Sequence, residues 1–189
     1  MKVRETQIKG VYVIEPNLFR DARGYFFESW NKTVFDREVK VVDFVQDNES
    51  MSSYGVVRGL HYQKGDAAQT KLVRVISGKV LDVAVDIRTG SPTFGKYMGV
   101  ELSDENKLQF FIPRGFAHGF SVLSETVVFQ YKCDNVYNPS AEGGIAWNDP
   151  SIGIDWKIPE DRVVLSAKDT HHPLLKDADG LFVYNGECD

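Results

Sequence analysis

Residues 71–88 read KLVRVISGKVLDVAVDIR, two apolar runs separated by a Ser-Gly pair. β-Branched side chains dominate both runs, and such side chains pack well on the pleated surface of a sheet. Successive side chains of a strand point to opposite faces, so the second run has one purely apolar face and one face that includes Asp82. The stretch predicts two strands joined as a hairpin, in which Asp82 could pair with Lys71 of the preceding strand.

Runs of the same kind recur on both sides of this stretch, and turn-forming residues separate them. The ten predicted strands are Val11–Ile14, Gly24–Ser29, Val41–Asn48, Gly55–Gln63, Lys71–Ser77, Lys79–Arg88, Lys96–Leu102, Leu108–Ile112, Gly119–Leu123 and Thr126–Lys132. One helix is predicted over Asn31–Val39, with Asn31 as its N-cap. Many short strands with almost no helix favour an all-β sandwich or jelly roll over β-α-β units.

The composition limits the class of protein. The chain has 189 residues, a length typical of one large domain, and 42% of them are hydrophobic, enough for a buried core. Its net charge of −5 disfavours a general nucleic-acid-binding protein, which needs a basic surface to contact phosphates. A small anionic ligand is compatible with this charge because it needs only a few well-placed cations.

Neither a secretory signal nor a membrane span is visible. The chain starts with MKVRET, which has no apolar signal segment, and no apolar run approaches the roughly 18 residues of a spanning helix. Its two cysteines, Cys133 and Cys188, do not make a disulfide framework, so the reducing cytosol is the default compartment. We therefore expect a cytoplasmic protein without a membrane partner.

The segment Val57–Gln63 reads VRGLHYQ and places a cation and an imidazole in an otherwise apolar strand. In a regular strand, Arg58 and His61 would point to opposite faces because they are three residues apart. Gly59 lies between them, and a β-bulge at this glycine would turn both side chains to one face. The alternative is an ordinary edge strand with solvated polar residues.

Three further positions carry groups that could do chemistry. Lys71 shares a face with apolar residues, where a lysine usually extends to solvent unless the face lines a cavity. His118 lies in a segment bracketed by Pro and Gly, which predicts a structured corner holding either a packed histidine or a ligand contact. Tyr131 ends the apolar face that Phe129 occupies, so its phenol is placed at the edge of an apolar surface.

The spacing of the four histidines disfavours a metal site. Metal-binding double-stranded β-helices commonly use His-x-His, but Gln63 stands two residues after His61. His171 and His172 are adjacent and would diverge on a strand. A structural or catalytic zinc or iron site is therefore not expected, and a metal-dependent oxygenase is disfavoured with it.

Several segments, taken in order, resemble the dTDP-4-dehydrorhamnose 3,5-epimerase family from about Ile8 to Leu175. They are Arg23–Glu28, Phe44–Asn48, Val57–Gln63, Lys71–Arg74, Asp82–Arg88, Ser91–Gly95, Ile112–Phe120 and Leu165–Asp169. The resemblance implies a cupin-like jelly roll (double-stranded β-helix) with short peripheral helices. It implies one domain over residues 1–189, with its core at about 40–135, and a homodimer without a metal or other cofactor. The implied substrate is dTDP-4-keto-6-deoxy-glucose, on the pathway to dTDP-L-rhamnose.

The resemblance also implies roles for individual residues. A ketone at C4 of the sugar acidifies the C–H bonds at C3 and C5, and inversion needs a base, an acid on the opposite face and a cation for the enolate oxygen. The implied catalytic residues are the base His61, its partner Asp169, Lys71 near the C4 oxygen and the proton donor Tyr131. The implied binding residues are Arg58 and Arg23 for the diphosphate, Gln46, Asn48, Phe26, Glu28 and Tyr137 for the nucleotide, and His118 and Asp82 elsewhere in the pocket.

The strand Arg23–Glu28 is expected to contribute to the dimer and to reach the partner's site. One departure from the family is Val136, where many relatives carry a second aromatic residue before Tyr137. Two rival functions stay open: a sibling enzyme that inverts one centre or moves the keto group, and a non-catalytic sugar-binding cupin. The joint presence of a base, an acid, a cation and a partner carboxylate argues against the second.

Overall fold

The structure is a computed structural model in which residues 1–186 are described, so Cys188 lies outside the described residues. Short strands form most of its regular secondary structure. In chain order they are β1 (Lys2–Glu5), β2 (Tyr12–Glu15), β3 (Phe19–Asp21), β4 (Gly24–Phe26), β5 (Gln46–Ser53), β6 (Val57–Gln63), β7 (Lys71–Ser77), β8 (Lys79–Asp86), β9 (Arg88–Thr89), β10 (Tyr97–Ser103), β11 (Gln109–Ile112), β12 (Phe116–Val122), β13 (Thr126–Cys133), β14 (Glu142–Gly144) and β15 (Phe182–Val183). The α-helix α1 spans Lys32–Glu38, and short 3₁₀ turns lie mainly beyond Asn138.

Two antiparallel sheets enclose the core. The larger has the strand order β1-β2-β11-β7-β13-β5, and the smaller has the order β10-β8-β12-β6-β14. The sheets pack face to face, because one apolar cluster joins Val73 and Phe129 of the larger sheet to Val80 and Phe120 of the smaller. Strands β1, β2 and β14 lie outside residues 40–135 and extend both sheets.

The expected hairpin of β7 and β8 is wrong, because the two strands lie in different sheets. A tight turn at Gly78 carries the chain from one sheet to the other, and β8 then pairs with β10 and β12. The physical reason lies in β8 itself, which has apolar side chains on both faces. The face of Val83 packs under the C-terminal segments, near Trp156, while the face of Ala84 packs against the larger sheet.

Strand β5 runs from Gln46 to Ser53, not from Val41 to Asn48 as predicted. Its sequence, QDNESMSS, has no apolar alternation, and it becomes a strand because all eight residues pair with β13. The apolar Val42 is buried in a satellite cluster with Phe35 of α1 instead. Pairing across the sheet therefore outweighed local sequence preference at this edge.

The helix α1 and the strands β4 and β12 can also be compared with their predicted bounds. The helix is confirmed, and the Asn31 side chain accepts a hydrogen bond from the amide of Val34 at 3.2 Å. Strand β4 ends at Phe26, and the hairpin of β3 and β4 has all six residues exposed. Strand β12 begins at Phe116, so His118 lies inside a strand and not at a corner. Among residues 1–186, no helix has the length and apolar character that crossing a membrane would require.

Candidate active site

A cavity of about 420 Å³ lies between the two sheets. Eight of the predicted site residues line it: Gln46, Asn48, Arg58, His61, Lys71, His118, Tyr131 and Tyr137. Two more, Asp82 and Asp169, lie behind lining histidines and hydrogen-bond to them. The cavity therefore collects residues from strands of both sheets and from the C-terminal segment.

Strand β6 carries both Arg58 and His61 to the cavity despite their spacing. Arg58 pairs with Phe120 and His61 with His118, so β6 has one extra residue and forms a bulge there. Gly59 in this bulge has a φ of +131°, and a Cβ at this position would lie only 2.6 Å from the Cα of Gly119. The predicted bulge near Gly59 is confirmed, and only glycine fits this position without a shift of backbone.

His61 is held by a buried carboxylate from the C-terminal segment. Its Nε2 lies 2.5 Å from Oδ1 of Asp169, and the hydroxyl of Ser166 donates to Oδ2 at 2.8 Å. Burial alone would raise the pKa of Asp169, but the hydrogen bonds from His61 and Ser166 outweigh it and lower the pKa. The carboxylate is therefore charged near neutral pH, and its contact with Nε2 orients the His61 imidazole.

Lys71 and Tyr131 project from the larger sheet, opposite His61 on the smaller one. Lys71 begins β7, and its Nζ lies 5.8 Å from the centre of the Tyr131 ring on β13. Burial raises the pKa of the Tyr131 phenol, which therefore keeps its proton near neutral pH. Burial also lowers the pKa of Lys71, although the nearby Cys133, Asp82 and Glu142 oppose that shift.

The direct partner of Asp82 is His118, not Lys71. Nε2 of His118 lies 3.0 Å from both carboxylate oxygens of Asp82, on the neighbouring strand β8. Burial raises the pKa of Asp82, and the charge and hydrogen bond of His118 oppose the shift. The His118 ring stacks on Phe129 at 6.3 Å, so this pair forms part of the cavity wall between the sheets.

A polar network borders the cavity near the start of β5. Nε2 of Gln46 donates to Asn48 at 2.9 Å, and the amide of Tyr137 donates to Oε1 of Gln46 at 3.0 Å. The Tyr137 hydroxyl donates to Glu142 at 2.5 Å, and Lys168 forms an ion pair with the same carboxylate. Burial would raise the pKa of Glu142, but the hydrogen bonds from Lys168 and Tyr137 lower it.

Sequence reasoning missed several of these residues. Lys168 precedes Asp169 in a segment that already resembled the family, so its position was a usable signal. The sequence offered no signal for Glu142, because β14 has only three residues and its position depends on pairing with β6. For His172 the sequence predicted only that it would diverge from the adjacent His171, and the structure places it beside His61 and Asp169. The nitrogen and oxygen atoms of these three residues lie within 4.8 Å of one another, a set that could hold a metal ion.

Three predicted binding residues do not line the cavity of their own chain. Arg23 is 90% exposed and forms an ion pair with Asp21 at 2.5 Å. Phe26 is 66% exposed, and Glu28 accepts a hydrogen bond from Asn31. All three lie in or just after the hairpin of β3 and β4.

The fold and the cavity define a cupin-like jelly-roll protein that presents a histidine–aspartate pair and a phenol from opposite sheets. Comparison with known proteins narrows this class. The sequence model of the family described as dTDP-4-dehydrorhamnose 3,5-epimerase matches residues 5–177. The chain belongs to this family.

Individual relatives are similar over nearly their whole length. The dTDP-4-dehydrorhamnose 3,5-epimerase of Salmonella typhimurium is 54% identical over 182 residues, which cover 94% of this chain and 97% of the relative. The crystal structure of the enzyme of that name from Elizabethkingia anophelis is 58% identical, with a TM-score of 0.90 and coverage of 94% and 97%. That of dTDP-6-deoxy-D-glucose-3,5-epimerase from Legionella pneumophila, in complex with dTDP-4-keto-L-rhamnose, is 49% identical, with a TM-score of 0.94 and coverage of 97% and 98%.

Proposed function

We propose that this protein is an isomerase that inverts C3 and C5 of dTDP-4-dehydro-6-deoxy-D-glucose and forms dTDP-4-dehydro-L-rhamnose, in dTDP-L-rhamnose biosynthesis. The family and the names of its close relatives support this activity. The single observation that carries it is the placement of His61 and Tyr131 on opposite sheets of one cavity. Inversion of a carbon centre needs a base on one face and an acid on the other.

His61 acts as the base in this proposal. It takes the proton of the C–H bond next to the C4 ketone, and the electron pair of that bond moves onto the C4 oxygen as an enolate. The charged Asp169 stabilises the imidazolium that forms. Lys71 is assigned to the enolate oxygen. Burial lowers its pKa, and the carboxylates of Asp82 and Glu142 oppose that shift.

Tyr131 completes the inversion. Its hydroxyl donates a proton to the carbanion carbon from the face opposite His61, and the resulting phenolate regains a proton from solvent. The raised pKa of this buried phenol keeps the donor protonated before the reaction. Because the C4 ketone acidifies the carbons on both of its sides, one base–acid pair serves C3 and C5 in turn. The chemistry requires no cofactor.

The nucleotide part of the substrate is assigned to the polar side of the cavity. The planar guanidinium of Arg58 suits diphosphate oxygens, and its Nε donates to the hydroxyl of Ser52 at 3.1 Å, which orients it. Gln46, Asn48 and Tyr137 form the network that would contact the nucleoside. His118 and Asp82 would contact or support the sugar side.

The protein is further proposed to act as a cytoplasmic homodimer. The hairpin of β3 and β4 exposes Phe19, Tyr25 and Phe26 to solvent at 63%, 51% and 66% in the single chain. Clustered exposed aromatic side chains are typical of protein interfaces. If this hairpin docks on a second copy of the chain, it would carry Arg23, Phe26 and Glu28 toward the cavity of that copy. In their own chain the three residues do not line the cavity.

The activity is tested by incubating the purified protein with dTDP-4-keto-6-deoxy-glucose in D₂O and counting deuterium at C3 and C5. We expect label at both centres, and product that a downstream NADPH-dependent reductase consumes. Label at one centre only would identify a single-centre epimerase instead. Binding without any label would identify a non-catalytic sugar-binding protein.

A further inference from the structure

His172 presents a buried nitrogen that lacks a hydrogen-bond partner. Its side chain is 13% exposed, and its Nε2 is shielded from solvent. This atom makes no well-formed hydrogen bond among the described residues, although Oδ1 of Asp169 lies 3.3 Å away. The ring occupies the space over Gly144, where a Cβ would lie 2.3 Å from the imidazole. A buried polar atom without a partner is costly, so its presence calls for a ligand or a functional reason.

This buried nitrogen faces the same carboxylate oxygen, Oδ1 of Asp169, that His61 contacts. Nε2 of His172 lies 3.3 Å from Oδ1 of Asp169, and the rings of His61 and His172 meet edge to face at 5.5 Å. Two ligands bound to one zinc ion at about 2.0–2.1 Å in tetrahedral geometry stand roughly 3.3 Å apart. The His172–Asp169 edge of the cluster therefore already has the spacing of two ligands on one ion.

The other edge can open to admit an ion. His61 Nε2 and Asp169 Oδ1 are 2.5 Å apart, and a metal ion bound between them would displace the proton of this hydrogen bond. Asp169 is anchored by Ser166 through its other oxygen, whereas the His61 side chain is 28% exposed on the cavity wall and can shift by the fraction of an ångström required. Each of the three residues can therefore offer one ligand atom to the same ion.

We propose that His61, Asp169 and His172 form a site for a divalent transition-metal ion such as Zn²⁺, and that the bound ion inhibits the epimerase. Two imidazoles and one carboxylate are a donor set that suits such ions. A neutral imidazole bound to metal through Nε2 carries its hydrogen on Nδ1, so neither nitrogen of His61 can then accept a proton from the sugar. The inhibition rests on the proposed role of His61 as base, but the metal site itself does not.

The site is tested by titrating purified, metal-free protein with ZnCl₂ in a calorimeter and with CoCl₂ in a spectrophotometer. We expect one ion per chain and, for Co²⁺, the visible absorption of a low-coordinate nitrogen–oxygen site. His172→Gln removes one ligand of three and should weaken binding at least about tenfold. His171→Gln is the matched control, because the exposed His171 lies outside the cluster and hydrogen-bonds to Thr170 and Ala167.

A second variant guards against a His172→Gln protein that does not fold. Asp169→Asn should also weaken Zn²⁺ binding at least about tenfold, because it removes the anionic ligand. Parent protein that binds no ion, or variants that bind as tightly as the parent, would overturn the site. Zn²⁺ should stop deuterium exchange in the parent and EDTA should restore it. Tight Zn²⁺ binding at the cluster without inhibition would overturn the regulatory part of the proposal. Zn²⁺ binding by a protein that lacks epimerase activity would overturn the proposed function but not the metal site.

Discussion

The hydroxyl of Tyr131 is the one group that the proposed acid step needs, and Tyr131→Phe removes it while keeping the ring. His61 and Lys71 remain, so the substrate should still exchange its proton with solvent. Without a donor on the opposite face, His61 returns most protons to the original face, so inverted product should fall about 10²–10⁴-fold. NMR of the sugar in D₂O measures exchange and inversion separately.

Folding should not limit this comparison. The Tyr131 ring packs against Phe129, with centroids 6.1 Å apart, and phenylalanine fills the same space. A lost hydroxyl contact costs about 1 kcal/mol, which a thermal unfolding curve will show. Inverted sugar formed at the parental rate would mean that water or another group is the donor.

His61→Ala should abolish exchange while binding of dTDP persists. The base acts on the sugar ring, whereas affinity for the nucleotide is assigned to Arg58 and the network around Gln46. We expect exchange to drop about 10²–10⁴-fold, with a dissociation constant for dTDP close to that of the parent. Arg58→Ala is the complementary control, because it should weaken dTDP binding and leave the base in place. Unchanged exchange in His61→Ala would remove His61 from the role of base.

Asp169 should make stability depend on pH in a defined direction. Burial opposes its ionisation, but the hydrogen bonds from His61 and Ser166 lower its pKa in the folded protein. The unfolded chain therefore binds this proton more readily, so the stabilisation is present above the unfolded pKa of about 3.9 and is lost as the pH falls through the lower folded pKa.

The free energy of unfolding of Asp169→Asn should accordingly fall furthest below that of the parent near neutral pH. The difference between the two proteins should shrink below about pH 4. Urea unfolding at pH 7 and pH 3 measures this difference. The exposed Asp161 provides a control, since Asp161→Asn should stay close to the parent at both pH values. A difference that grows on acidification would contradict the assignment.

At the scale of elements, the bulge of β6 sets the geometry of the site. Gly59→Ala would place a Cβ 2.6 Å from backbone at a φ of +131°. We expect a loss of stability well above 1 kcal/mol and a larger loss of activity, because the bulge aims Arg58 and His61 at the cavity. Gly90→Ala is the control: its φ is +84°, but nothing lies within 4 Å of its added Cβ, so it should cost only about 1 kcal/mol. Equal effects on activity would show that the bulge does not position the site.

The same scale separates what local pattern can and cannot predict. The two faces of β8 follow from side-chain alternation, and the bulge follows from a glycine between two polar residues of one strand. Strand β5 could not be predicted from its local pattern, because its polar sequence is extended only through pairing with β13. The Ser-Gly pair predicted the turn at Gly78, but it could not predict whether the next strand would join the same sheet or the other one.

At the scale of the whole molecule, the proposed dimer predicts complementation between two inactive variants. Arg23→Ala and His61→Ala should each lower activity strongly in homodimers. If Arg23 completes the partner's site, unfolding and refolding a mixture of the two should give mixed dimers with one complete site each, and activity should return. If Arg23 served its own chain, both sites of a mixed dimer would be defective and no activity would return.

Sedimentation of the parent protein gives the independent check, with a mass of two chains expected. Phe26→Ser should shift this equilibrium toward monomer, because it removes an aromatic side chain that the single chain exposes. A parent that sediments as one chain would contradict the dimer.

The sequence by itself determined the all-β class, the capped helix, the faces of β8 and the bulge at Gly59. Through its family resemblance it also determined eight of the residues that line the cavity. These features are local or are carried by motifs of a few residues. The tertiary structure alone decided which groups meet. His61 and Asp169 are 108 positions apart in the chain. Asp82 hydrogen-bonds to His118 because β8 and β12 are neighbouring strands. Glu142 lines the cavity from a three-residue strand, and His172 lies beside His61 and Asp169 after a short turn. Side-chain periodicity has too few residues in such elements to predict a direction.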